Sequence, residues 1–110
     1  MTFAEKLDNI MITVGASENL KGTPLLRRAV ELWRPGMMVT KELYPALARE
    51  VSSTASRVER SMRHAIEKAF TRSGWCDDVM ALFGNAIDPD KGKPTVTEFV
   101  ARVAYLCHAD

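Results

Sequence analysis

Residues Val39–Phe70 read VTKELYPALAREVSSTASRVERSMRHAIEKAF. In the second half, Val58, Met62, Ala65, Ile66, Ala69 and Phe70 recur at helical spacing and define one apolar face. They predict a helix from about Ala55 to Thr71, stopped by Ser73-Gly74. In the first half, Leu43, Leu47 and Val51 carry the same period in a shorter helix, with Thr40 as its cap. Pro45 lies inside that helix, where its ring removes a backbone donor and crowds the preceding turn, so the first turn should be irregular. Ser52, Ser53 and Thr54 interrupt the pattern, and any of them could cap the longer helix. Two helices separated by a turn of roughly three or four residues have the spacing of a helix-turn-helix.

The helical period continues on both sides. Phe3, Leu7, Ile10, Met11 and Val14 form a first amphipathic face, with Gly15 as its stop. Thr23-Pro24 reads as a cap followed by proline at the first helical position. Leu25, Leu26, Ala29, Val30 and Trp33 give the second stripe, ended by Arg34-Pro35-Gly36. Beyond the long helix, Trp75, Val79, Met80, Leu82 and Phe83 predict a short fifth helix closed by Gly84. Residues 85–94 read as a loop. Thr95 with Glu98 has the form of a capping box, ahead of a last helix with Phe99, Val100, Val103, Ala104 and Leu106 inward. No strand pattern competes. The expected fold is all-α: six helices around one core in a single domain spanning 1–110, with the third and fourth helices as the helix-turn-helix.

A chain of 110 residues, 46% hydrophobic and 26% charged, has the balance of a globular domain. It lacks an apolar run of the ~20 residues a membrane span needs and a signal-peptide core, so a cytoplasmic location without membrane contact is expected. The net charge of +1 is unevenly distributed. Residues 21–72 hold eleven Lys/Arg against five Glu, a net of +6, while both flanking segments are acidic. A basic middle suits a polyanion. The acidic ends are expected to face away from it.

On a helical wheel the long helix sets Ser53, Ser56, Arg57, Arg60, Arg63, His64, Glu67 and Lys68 opposite its apolar side, with Glu59 at the flank. Arginine's planar fork bonds guanine O6 and N7 together, or clamps a phosphate. Small residues at the start of the helix let its N-terminus approach a duplex, where backbone N–H groups favour phosphate. In a helix-turn-helix the second helix enters the major groove with its N-terminal residues on the bases. Double-stranded DNA is the expected partner, with Lys68 continuing the basic face along the backbone.

The segments TASRVER (Thr54–Arg60) and RHAIE (Arg63–Glu67) resemble the DNA-binding effector domain of the stage-zero sporulation master regulators, response regulators of endospore-forming bacteria. Leu20-Lys21-Gly22, Leu82-Phe83-Gly84, Lys93-Pro94-Thr95 and Glu98-Phe99 extend the similarity over about residues 10–106. The resemblance implies a six-helix effector domain. It implies that Arg57 and Arg60 read guanines of a short TGTCGAA-like box, and that Glu59 reads cytosine. Arg63 and His64 match phosphate contacts, and Ser56 a small hydroxyl at the start of the recognition helix. The segment Ser73–Phe83 matches a surface that touches the sigma subunit of RNA polymerase, with greater departures. A homodimer on tandem boxes is a further expectation. The family's receiver domain with its phosphorylated aspartate has no counterpart in these residues.

Other chemistries find little support. His64 and Glu67 supply only two ligands on one helix, short of a metal site. Asp88 and Asp90 lack the spacing and terminal glutamate of a calcium loop. Cys76, followed by Asp77 and Asp78, lacks the electropositive neighbours of a catalytic thiolate, and Cys107 lies on the apolar side of the last helix. Met11, Met62 and Met80 read as core filler, and Trp33 and Trp75 as buried helix ends. Neither a glycine-rich phosphate loop nor a Ser/His/Asp arrangement occurs, so no enzyme, metal or cofactor is expected. Without aromatic stacking residues on the basic face, RNA is a poorer partner than duplex DNA. The rival is a receiverless protein-binding module that pairs with a full-length regulator or sigma factor and has no DNA specificity of its own. Such an adaptor gives no reason for Arg57, Arg60, Arg63 and His64 to stand together.

Overall fold

The computed structural model describes residues 1–84, 86–88, 90 and 92–109. Its helices are α1 (Phe3–Thr13), α2 (Gly22–Leu32), α3 (Tyr44–Glu50), α4 (Ala55–Ser73), α5 (Asp77–Phe83) and α6 (Val96–His108). A π-helical turn, Val39–Leu43, runs into α3. Among the described residues there is no strand.

Local chemistry accounts for most helix ends. Thr2 and Glu5 form a capping box on α1, and Thr95 and Glu98 form the expected one on α6. Gly15, at φ +77°, takes the left-handed position just past α1. Gly74 closes α4 as expected, with the helix itself running on to Ser73. Gly84 closes α5 as expected. The irregular turn expected from Pro45 is the π-helical one. Pro45 in the first turn of α3 has no N–H for the carbonyl four residues earlier, and the Tyr44 N–H bonds Val39 O instead.

The long helix α4 is the centre of the fold. All six of its predicted inward residues are buried. Its most extensive neighbour is α2, followed by α3, with α6 completing the enclosure. Full burial of side chains such as Leu47 and Ile66 removes ~1.5–3 kcal/mol of apolar exposure each. At the far end, Phe83 stacks on Phe99 at 5.6 Å between centroids, and Phe70 meets Phe83 edge-on at 5.8 Å.

Several local expectations are corrected. Thr23 does not cap α2. It lies inside the first turn, fully buried, and its hydroxyl donates to the Ser17 carbonyl. Thr40 does not cap α3 either; it falls within the π-helical turn, whose preceding Met38 N–H donates to Glu42 Oε2 at 3.1 Å. Val51 is 50% exposed because α3 ends at Glu50 and the chain turns away. Met80 is 39% exposed because the two turns of α5 bury only Val79 and Phe83. The tryptophans are half-buried, and Trp75 Nε1–H donates to Gly92 O at 3.1 Å.

Candidate nucleic-acid interface

The turn between α3 and α4 is closed by its own backbone. Ser53 N–H bonds Ala48 O at 2.9 Å and Ser52 N–H approaches Arg49 O at 3.5 Å. This is the double closure of a Schellman motif, with Ser52 at φ 53° in the left-handed position that glycine usually occupies. Thr54 then caps α4, its hydroxyl accepting from Arg57 N–H at 3.2 Å. Of the three candidate caps, Thr54 is the one used. The start of α4 therefore stands at a defined angle to α3.

From that start, Ser56, Arg57, Arg60, Arg63, His64 and Lys68 are all exposed, and Glu59 is half-buried beside them. The structure thus brings the seven predicted residues onto one face. Among the described residues, Arg57, Arg60, His64 and Lys68 have no ion-pair partner, whereas Arg63 Nε lies 3.6 Å from Glu59 Oε1. Glu67, placed on the same polar side by the wheel, turns toward Lys93 at 3.8 Å and leaves the arginine surface. Tyr44 lies behind Glu59. Burial pushes its phenol above the ordinary value, opposed by a Thr97 hydrogen bond and reinforced by the Glu59 charge.

Two grooves flank this face. One, of about 430 Å³, runs between α4 and the π-helical turn and is lined by Thr40, Tyr44, Ser56, Glu59, Arg60 and Arg63 among others. Another, of about 420 Å³, separates α4 from the start of α2 and includes Lys21, Arg60, Ser61 and His64. Arg60 lines both and so forms the crest between them.

Not all of the basic middle reaches this surface. Arg27 Nη1 lies 2.5 Å from Asp8 Oδ1 and Arg27 Nη2 lies 3.4 Å from Glu18 Oε1, so the acidic N-terminal segment neutralises it rather than simply facing away. Arg28 grips Glu50 with both Nε (2.9 Å to Oε1) and Nη2 (3.0 Å to Oε2), tying α2 to the end of α3. The Arg28 hydrogen bond holds the Glu50 carboxyl below its ordinary range. Sequence reasoning missed this clamp, and no local signal marks a pair 22 residues apart.

A helical domain that projects Arg57 and Arg60, without an ion-pair partner among the described residues, from a helix behind a closed turn has the form of a DNA-binding regulator domain. The family model described as sporulation initiation factor Spo0A C terminal matches residues 7–106. The chain belongs to that family and is a DNA-binding effector domain of the sporulation-regulator type; the family is one of DNA-binding domains, not of enzymes. Among the described residues, no helix is long and apolar enough to cross a membrane, and no group of three or more His, Cys, Asp or Glu could hold a metal ion.

Proposed function

We propose that the chain, acting as one DNA-binding unit over 1–110, reads duplex DNA by laying α4 in the major groove. Arg57 and Arg60 bond guanine edges, and Glu59 accepts from a cytosine amino group. Ser56, Arg63, His64 and Lys68 contact the backbone. The target is a TGTCGAA-like box, and two copies of the domain occupy tandem boxes. The segment Ser73–Phe83 meets the sigma subunit.

One observation carries this reading: Arg57 and Arg60 stand exposed and without a carboxylate partner among the described residues, on the first turns of a helix that follows a tight turn. Arg27 and Arg28, by contrast, are occupied by Asp8 and Glu50. Selection from a random duplex pool tests the proposal. Recovery of a TGTCGAA-like motif is the expected result. Recovery of no motif would overturn base reading and favour the protein-binding module.

A further inference from the structure

Lys21 is the residue immediately ahead of α2 and lies far from the basic helix in sequence. In the fold it stands beside that helix. It lines the groove shared with Arg60, Ser61 and His64, and also a neighbouring one shared with Arg57 and Ser61. Its side chain is exposed and has no ion-pair partner among the described residues.

The backbone beneath it is fixed. Leu20 N–H bonds Ser17 O at 3.3 Å, Thr23 N–H bonds Leu20 O at 3.2 Å, and the buried Thr23 hydroxyl returns to the same Ser17 carbonyl. Next to it, Gly22 packs directly on the α4 backbone at Ser61. The lysine stem therefore pivots from a point held against the flank of α4. The carboxylate in the neighbouring groove, Glu50, is engaged by Arg28 and does not compete for the ammonium.

A helix about 10–12 Å across fills a major groove ~12 Å wide, so groups beside the helix meet the sugar–phosphate strands rather than the bases. We infer that Lys21 is a phosphate contact on the strand running along the α2 side of α4, extending the DNA-binding surface beyond the recognition helix. This rests on the reading of α4 as the major-groove helix. A compact ammonium on a flexible stem suits a phosphate, needing charge more than a fixed bidentate geometry.

The test is a salt titration of DNA binding by fluorescence anisotropy, with wild-type protein, Lys21→Gln and Lys21→Arg on TGTCGAA-containing and scrambled duplexes. Lys21→Gln should weaken both duplexes by the same factor. It should also flatten the plot of log affinity against log salt by about 0.9, so that its deficit shrinks about 3.5-fold between 50 and 200 mM salt. Lys21→Arg should restore the wild-type slope, and both variants should melt with the wild type. A wild-type slope in Lys21→Gln, or a loss confined to one duplex, overturns the assignment of Lys21 while leaving α4 in place. Failure of the wild type to bind either duplex overturns the major-groove reading, and this inference with it.

Discussion

Gly22 stands so close to Ser61 that a Cβ added to the glycine would lie 2.0 Å from the Ser61 carbonyl oxygen and 2.6 Å from its carbonyl carbon. The start of α2 is thereby seated on the middle of α4, the helix that carries the basic face. Helix propensity alone favours alanine over glycine by ~0.5–1 kcal/mol. Here the obstacle is backbone, which cannot rotate aside. Gly22→Ala should lower stability by about 1–3 kcal/mol, the range for overpacking. Chemical denaturation checks this; a variant as stable as the wild type would show that α2 can shift without loss.

Ser52 holds a left-handed conformation, φ 53°, to close the turn between α3 and α4. A β-branched side chain is poorly suited to that region. Ser52→Val should lower stability, because branching at Cβ adds to the crowding that serine already bears, whereas Ser52→Gly should be at least as stable as the wild type. Thermal melting of the two variants separates them. Equal melting temperatures would mean that the turn relaxes out of the left-handed region.

Arg60 and Arg63 are one helical turn apart but differ in surroundings. Arg60 forms the crest between two grooves, and Arg63 lies beside Glu59. Arg60→Ala should cost ~1–3 kcal/mol of binding and relax preference at one guanine. Arg63→Ala should weaken all sequences alike and reduce the salt slope by about one unit. Anisotropy on single-base variants of the selected box reads both effects. Retained guanine preference in Arg60→Ala would remove it from base reading, and an unchanged slope would remove Arg63 from the phosphates.

The Arg28–Glu50 clamp should give folding an acid-side pH dependence. The Arg28 hydrogen bond lowers the folded-state Glu50 pKa from its ordinary value of 4.5. Its stabilisation is then complete above that value and is lost as pH falls through the lowered folded pKa. Glu50→Gln keeps the shape and removes the titration. The stability difference between wild type and Glu50→Gln should be constant near neutrality and shrink below about pH 4.5. Denaturation midpoints across pH 3–7 measure it, and a difference independent of pH would show that the ion pair contributes nothing to folding.

The helices were largely legible in the sequence because their determinants are local. The six inward residues of α4 obey the helical period, and Thr95 with Glu98 caps α6 through contacts three residues apart. Pro45 announced an irregular turn by its chemistry, though not its π-helical form. Where a local signal had two readings, tertiary context chose. Thr23 has the chemistry of a cap, but the docking of α2 on α4 buries it and turns its hydroxyl to Ser17. Ser52 does the work of a C-terminal glycine without being one, so no composition rule flagged it.

The sequence by itself determined that one long helix carries an apolar face and a basic face, because both follow from residue spacing along 19 residues of continuous helix. The packing of helices distant in the chain decided which charges that surface retains. Arg27 and Arg28 count toward the basic middle, yet Asp8 and Glu50 occupy them, 19 and 22 residues away. Lys21, outside the basic helix, is brought to its edge by the missing Cβ of Gly22. Exposed charges are screened beyond about 8–10 Å at physiological salt, so the pairing of neighbouring groups, more than net charge, sets the electrostatic surface offered to DNA.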